Sequence, residues 1–395
     1  MLNDIQRIAL VMLIATAVFD PSDLILHLKV PIFVATWMIF CVYAFAKKNV
    51  YISMRLTMYV AIFTFILPLL SIFYYILTNG DFEPYDGFQY FKSYLFLSIL
   101  VILYGKKIDL IKPFSIILTV LSVIIIFVAI AASYMPLVYE YLRVVGFENN
   151  FFHIGERNYG GQSFYLSYYV TSPLLVMSIA YFTYLSVNSM GSSRVKYIAI
   201  VLINCVAMFL SGTRNNILCS ILVPILVLHW YTKKKALFMS LLILIGLAVI
   251  FQYGDVIKDM LSPEDVSNAA KIGMVEDYIA LFSNFEVLLF GQGLGSYFYF
   301  PSRGYMSVTE LTYFEFIRNY GLVGAGIFFF LLAYPLKMLL LKAARKDHYI
   351  YLAYLVYLGI CISNPLLISS TGMLVLAIVL YKVFAFQNNR QLETE

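Results

Sequence analysis

Residues 113–134 read PFSIILTVLSVIIIFVAIAASY, an apolar run without a single charged side chain. A helix needs about 20 apolar residues to cross the ~30 Å hydrocarbon core of a bilayer. This run meets that requirement and is bounded by Lys112 on one side and by Pro136 on the other. It therefore predicts a transmembrane helix.

The composition extends this prediction to the whole chain. Of the 395 residues, 62% are hydrophobic and only 12% are charged, whereas soluble domains carry roughly 25% charged residues. Such a chain cannot cover itself with polar surface, so we expect lipid to surround it. The net charge of +5 is spread over short clusters between apolar runs. This distribution argues against a nucleic-acid-binding surface.

Further apolar runs follow the same pattern along the sequence. They predict an all-α polytopic integral membrane protein, a single membrane domain over residues 1–395 with about 12 transmembrane helices. The predicted spans are 5–19, 30–46, 56–77, 90–104, 113–134, 164–187, 196–211, 215–231, 236–252, 312–336, 349–363 and 370–386.

The charges predict the orientation of these spans. Loops on the side of the N-terminus hold 18 of the 27 Lys and Arg residues, and the opposite side holds 17 of the 22 carboxylates. Basic loops remain in the cytoplasm. We therefore expect both termini to be cytoplasmic.

Two segments on the outer side, 136–162 and 253–311, are too long to be simple turns. Long loops in compact proteins are usually functional or disordered, and both segments mix aromatic residues, glycines and charges. One interpretation is a solvated cap. The other is a roof over an active site at the outer surface.

Arg214 lies in the tight outer turn Ser211–Asn216, between two apolar runs. A guanidinium can bind phosphate through two parallel hydrogen bonds, so Arg214 is a candidate for binding an anionic headgroup. The alternative is an interfacial arginine that caps the turn and contacts lipid phosphate. Arg157 is a second candidate phosphate ligand, and the equal alternative is an ion pair with Glu156.

Arg318 lies inside the predicted span 312–336. Charges within a membrane are costly and suggest a function, but Glu315 stands three residues earlier and predicts a local ion pair. Arg303 is a further candidate for substrate binding. Lys271 has no special context and is expected to be solvated.

Glu310 stands at the start of the same span. Partial desolvation raises the pKa of a carboxylate and makes it a better proton acceptor, so Glu310 is a candidate catalytic base. It could instead only cap the helix. Gly291-Gln292-Gly293-Leu294-Gly295 does not match a P-loop and predicts a tight turn. No His, Cys and Asp residues have metal-ligand spacing, so we expect no metal.

The order of these motifs resembles that of a known superfamily. The turn Ser211–Asn216 precedes a large outer loop, then Phe290–Phe298, then Glu310–Glu315 and Gly321–Gly324, and finally Asn364–Gly372. This order is similar to that of the O-antigen polymerase and O-antigen ligase superfamily of bacterial envelope enzymes. The similarity is best from about Phe209 to Gly372, while the N-terminal spans match only in hydropathy.

The resemblance implies a metal-independent glycosyltransferase without cofactors and with a GT-C-like fold. It implies an inner-membrane enzyme with a large periplasmic loop, 253–311. The donor and the acceptor would be glycans on undecaprenyl pyrophosphate, and a chain-length-regulating co-polymerase is an expected partner. Glu310 occupies the position, eleven residues before Gly321, where ligases often have a histidine. This difference favours a polymerase over a ligase.

The resemblance also implies roles for particular residues. Glu310 is the expected base, and Arg214 matches the arginine that contacts pyrophosphate. The aromatic residues Tyr297, Phe298, Tyr299 and Tyr305 are candidates for stacking on sugars, and the alternative is that such tyrosines belong to the aromatic belt at the membrane interface. The expected substrate-binding residues are Arg157, Arg214, Arg303, Arg318 and Tyr313. A flippase for lipid-linked oligosaccharides remains the alternative from a different class of protein.

Overall fold

A computed structural model describes most of the chain. The described residues are 2–47, 53–79, 84–104, 106, 108–149, 151–159, 162–233, 235, 240, 244, 252, 254, 258, 262–263, 265–301 and 303–392. Helices dominate, and two short antiparallel hairpins interrupt them.

The helices form four groups along the chain. The first group is α1 (Leu2–Phe19), α2 (Lys29–Lys47), α3 (Met54–Ala61) and α4 (Leu67–Asn79), with a π-helical turn at Ile62–Ile66 between α3 and α4. The second is α5 (Pro84–Tyr94), α6 (Ile99–Leu103), α7 (Ile111–Tyr134) and α8 (Pro136–Asn149). The third is α9 (Leu175–Asn188), α10 (Gly191–Leu210) and α11 (Arg214–Tyr231). The fourth is α12 (Val266–Phe282), α13 (Phe285–Phe290), α14 (Thr312–Lys342), α15 (His348–Ile360) and α16 (Ser370–Leu392).

The first hairpin begins in the predicted outer segment 136–162 and extends beyond it, and the second lies within the predicted outer segment 253–311. Strands β1 (Phe152–Tyr159) and β2 (Gln162–Tyr169) form the first, and β3 (Phe298–Phe300) and β4 (Gly304–Met306) form the second. The segment 136–162 therefore contains α8 and β1, and the segment 253–311 contains α12, α13 and both strands of the second hairpin.

Five helical segments among the described residues are long and apolar enough to cross a membrane. They are Lys29–Ala46, Met54–Thr78, Ile111–Tyr134, Gly191–Leu210 and Thr312–Lys342. Shorter apolar helices lie at Tyr90–Leu103 and Ser370–Ala385. The chain is therefore a predominantly helical membrane protein, while the count of about 12 spans stays a prediction.

Several predicted spans differ from the structure. The predicted span 164–187 is wrong in its first part, because β2 continues to Tyr169 and α9 begins only at Leu175. Cross-strand pairing with β1 satisfies the backbone there. The predicted span 90–104 is divided by a 3₁₀ turn at Leu95–Ser98. Most of the predicted span 236–252 lies outside the described residues.

The C-terminal helix α16 lies at the centre of the bundle. Every residue from 371 to 380 is buried. A helix that is apolar on all sides can only be stable when other helices or lipid surround it. Here the surrounding elements include α1, α14, α15 and the segment Leu95–Ser98.

The bundle has two chemically different ends. At one end, which we call the basic end, the Tyr231 hydroxyl donates to the Arg345 carbonyl over 2.7 Å, and Lys382 Nζ lies 3.3 Å from an Asp347 carboxylate oxygen. At the other end, the Thr371 hydroxyl donates to the Ala17 carbonyl over 3.1 Å. We call this second end the site end, because helices α11, α14 and α16 all begin there.

Candidate functional site

A fully buried ion pair joins Glu315 and Arg318 near the start of α14. Neither side chain is exposed to solvent. Arg318 Nε donates to Glu315 Oε2 over 3.2 Å, and a second guanidinium nitrogen donates to Glu315 Oε1. The local pair that the sequence predicts is therefore confirmed. Two charges can be buried in this way only when they pair with each other and when further hydrogen bonds satisfy the remaining donor and acceptor atoms of both side chains.

Those further hydrogen bonds come from distant parts of the chain. Arg318 Nη1 donates to the carbonyl and the hydroxyl of Ser296, over 3.0 and 2.9 Å, and Arg318 Nη2 donates to the Ser307 carbonyl over 2.6 Å. The Tyr278 hydroxyl donates to Glu315 over 2.6 Å. Burial, with the negative charge of Glu315, raises the pKa of Tyr278 and keeps it a donor. Protein atoms thus accept hydrogen bonds from all three guanidinium nitrogens of Arg318.

The predicted glycine turn packs directly against this ion pair. Gly291, Gly293 and Gly295 all have positive φ angles, of 81°, 88° and 93°, which suit glycine because it lacks a Cβ atom. The Gln292 backbone N–H donates to the Arg318 carbonyl over 2.6 Å. Helix α14 is interrupted at Gly321, with φ 64° and ψ 176°. The tight turn is confirmed, and it holds the start of α14 in place.

Glu310 lies outside this buried cluster, in a more open position. Its side chain is 40% exposed, and its carboxylate oxygens lie 3.5 Å from Arg303 Nη1 and 3.8 Å from Lys271 Nζ. Both cations are about one third exposed. Glu310 is thus a carboxylate that meets solvent between two positive charges.

Arg214 is the first residue of α11, and Thr213 caps that helix by accepting from the Asn216 backbone N–H over 3.3 Å. Arg214 Nη2 lies 2.5 Å from an Asp265 carboxylate oxygen, and Nη1 donates to the Asn268 side chain. The Arg214 side chain is 21% exposed. A guanidinium in this position already binds one carboxylate, which shows that it can hold an anion.

Asp265 has two roles in this contact. It pairs with Arg214, and it caps α12 by accepting from the backbone N–H groups of Ser267 and Asn268. Partial burial would raise the pKa of Asp265, but the hydrogen bond from Arg214 and the capped N–H groups outweigh it and lower the pKa.

Helix α12 connects two partly exposed groups of charges, one around Arg214 and one around Glu310. Asn268 contacts Arg214, Lys271 contacts Glu310, and Tyr278 contacts Glu315. Residues three or four apart lie on the same face of a helix, and three residues advance the helix by about 4.5 Å. Along one face, α12 therefore passes from Arg214 to Glu310 and on to the buried ion pair.

A third group of contacts lies beside Glu310. Asn364 Nδ2 donates to the Tyr168 hydroxyl over 3.2 Å, and the Thr312 hydroxyl donates to the Asn364 carbonyl over 2.8 Å. Burial raises the pKa of Tyr168, and the nearby charge of Glu310 adds to this effect. The ring of His153 stacks on Tyr168, with centroids 6.1 Å apart. The first hairpin is thereby tied to the site end.

The structure places the predicted site residues in different environments. Glu310 and Arg214 contact α12, Arg303 contacts Glu310, and all three are partly exposed. Arg318, in contrast, is buried and bound to protein groups. The Tyr313 hydroxyl donates to the Leu358 carbonyl over 2.7 Å, so it joins α14 to α15. Arg157 lies in β1 opposite Phe164, and its side chain lies outside the described part of the structure.

Sequence reasoning missed the contribution of α12. Lys271 is not merely solvated, because it pairs with Glu310. The sequence alone also predicts no role for Asp265, Asn268 or Tyr278. The one available signal is Asp265 directly before the run Val266–Phe282, since Asp is a residue type typical of a helix N-cap. Among the described residues, no group of three or more His, Cys, Asp or Glu side chains is arranged to hold a metal ion.

Comparison of the chain with protein-family models, with curated proteins and with solved structures finds no match.

Proposed function

We propose that this protein is a polysaccharide polymerase of the bacterial inner membrane. It joins oligosaccharide repeat units carried on undecaprenyl pyrophosphate into O-antigen or a related surface polysaccharide. The proposal includes about twelve spans, a GT-C-like fold, cytoplasmic termini and a periplasmic active site. Both substrates are lipids with large polar headgroups, which suits a site at the end of an apolar helical bundle.

One observation carries the proposal. Helix α12 brings a partly exposed carboxylate, Glu310, and a partly exposed arginine, Arg214, to one end of the bundle, with Lys271 and Arg303 beside Glu310. Glycosyl transfer from a pyrophosphate donor needs a proton acceptor for the attacking hydroxyl and positive charge for the leaving group. The cluster contains groups of both kinds.

In the proposed reaction, a hydroxyl of the acceptor repeat unit attacks the anomeric carbon of the donor glycan. The new C–O bond forms as the bond from the anomeric carbon to the pyrophosphate oxygen breaks. Glu310 takes the hydroxyl proton, and undecaprenyl pyrophosphate leaves with the electron pair of the broken bond. The donor already carries an activated leaving group, which removes the need for a nucleotide.

The cations have a second effect in this scheme. A pyrophosphate that enters the cluster competes with Glu310 for Lys271 and Arg303, and with Asp265 for Arg214. Their transfer to the pyrophosphate releases Glu310 from its ion pairs, so its carboxylate is free to accept the hydroxyl proton.

The test uses a strain that lacks its own repeat-unit polymerase and is complemented with this chain. We expect wild-type protein to restore the ladder of lipopolysaccharide chain lengths, and Glu310→Gln or Arg214→Ala to give single-repeat product at normal protein levels. Glu140 and Arg143 provide the matched control, because they form an ion pair on α8 with both side chains 58% exposed. Glu140→Gln and Arg143→Ala should leave the ladder intact.

The same assay separates the alternatives. Loss of every lipid-linked sugar from the outer face would indicate a flippase. Normal polymer that fails to reach lipid A core would indicate a ligase. A full ladder from Glu310→Gln would exclude Glu310 as the base.

A further inference from the structure

The second hairpin, β3–β4, has two chemically different faces. Successive residues of a strand point to opposite sides. Phe300 is fully buried and packs in a small core with Tyr278, and the centroids of the two rings are 5.2 Å apart. The remaining core members are Met274 and Leu311. This inner face fixes the hairpin to α12 and to the segment before α14.

The outer face presents tyrosines. Tyr299 and Tyr305 stand directly opposite each other in the strand pairing. Their ring centroids are 5.1 Å apart, and the side chains are 52% and 77% exposed. Tyr297, two residues before Tyr299, is 46% exposed. The expected group of four stacking aromatics is therefore divided, because Phe298 packs against Phe300 with a centroid separation of 4.8 Å.

The turn of the same hairpin reaches the charge cluster. Arg303 lies between β3 and β4, and its guanidinium is 3.5 Å from Glu310. Partly exposed charges of this kind require water or polar ligands around them. The tyrosine pair therefore stands beside a polar surface, and this position argues against contact with acyl chains.

We propose that Tyr299 and Tyr305 form a carbohydrate subsite, in which a sugar ring of the lipid-linked glycan stacks on the aromatic pair. The apolar C–H face of a pyranose fits the electron-rich face of an aromatic ring, and Arg303 suits its equatorial hydroxyl groups. The subsite rests on the proposed function, since it places the glycan next to Glu310. The buried inner face holds the rings in position before the sugar binds.

The test measures glycan binding at equilibrium, without catalysis. The probe is the repeat-unit oligosaccharide that mild acid releases from the lipid carrier of the host, titrated against full-length protein in detergent. We expect Tyr299→Leu and Tyr305→Leu to weaken binding about fivefold each, because they remove the aromatic face. Tyr299→Phe and Tyr305→Phe should stay within about twofold of wild type. Tyr134→Leu is the matched control, since Tyr134 is 82% exposed at the end of α7.

The outcomes distinguish the subsite from other uses of the same surface. Unchanged binding by folded leucine variants overturns the subsite. The subsite is also overturned if the leucine variants lose only membrane retention or self-association, because that result would indicate a bilayer contact or a contact with a second copy of the chain. The Glu310→Gln protein should bind the oligosaccharide normally. If Glu310→Gln gives a full ladder while the leucine variants still lose binding, the base assignment fails and the subsite stands.

Discussion

Glu310 and Glu315 lie five residues apart in the sequence, yet the fold uses them in opposite ways. Glu315 is fully buried, and Arg318, Tyr278 and Asn319 all donate hydrogen bonds to it. Glu310 is 40% exposed between two cations that solvent also reaches. A charge within a membrane segment can therefore serve to stabilise the fold, while a nearby exposed charge is available for chemistry.

The largest expected effect comes from breaking the buried pair. Arg318→Met leaves Glu315 buried without its cation, and removing one partner of a buried pair costs about 3–5 kcal/mol. We expect a large fall in the thermal unfolding midpoint in detergent and little protein in the membrane fraction. An unfolding midpoint equal to that of wild type would show that the pair does not hold the site end together. Arg143→Met, in the exposed pair on α8, should change the midpoint little.

The next effect comes from the glycine at the break in α14. A Cβ atom at Gly321 would overlap the Leu289 carbonyl, and the φ of 64° disfavours any L side chain. Gly321→Ala should therefore lower the free energy of unfolding by about 1–3 kcal/mol or more. Gly326→Ala is the control, because it lies in the same helix with open space around its Cβ position. Equal unfolding midpoints for the two variants would contradict the close approach of the loop to α14.

A smaller effect is expected at Lys271, and it should appear in the kinetics. Lys271→Gln keeps a polar side chain but removes one cation beside Glu310. We expect polymerisation to slow about five- to tenfold, because one of the charges that stabilise the leaving group is lost. The unfolding midpoint should stay close to that of wild type, since exposed pairs contribute little to stability. The rate of a purified reaction checks this, and an unchanged rate would remove Lys271 from the site.

The smallest effect concerns pH and the contact between Asp265 and Arg214. The pKa of Asp265 is lowered in the folded protein, so its contribution to stability is present above its ordinary pKa. This contribution is lost as the pH falls through the lowered value. At neutral pH, Asp265→Asn should lower stability by up to about 1 kcal/mol. Unfolding midpoints measured down the acid range should converge for wild type and variant. A difference that persists at low pH would show that the loss has another cause.

The sequence predicts local features of this molecule well. The apolar runs identify helices such as α7 and α10, because a bilayer demands long uncharged segments. The pair between Glu315 and Arg318 follows from a spacing of three residues on one helix. The glycine turn at Gly291–Gly295 follows from the freedom of glycine to adopt positive φ.

The sequence does not predict contacts between distant segments. Arg214 and Asn268 are 54 residues apart, and no local pattern marks them as partners. The same holds for Lys271 and Glu310, which only the path of α12 brings together. The sequence also does not predict the first hairpin, because its strands are rich in aromatic residues and a short apolar run is compatible with strand or helix.

The central claim is that Glu310 serves chemistry and Glu315 serves the fold. Its most direct test compares purified Glu310→Gln with wild type in one preparation, by polymerisation rate and by thermal unfolding. We predict a rate at least about 100-fold lower, as is typical when a general base is lost, with an unchanged unfolding midpoint. A full rate from Glu310→Gln, or a fall in its unfolding midpoint as large as that of Arg318→Met, would contradict the account.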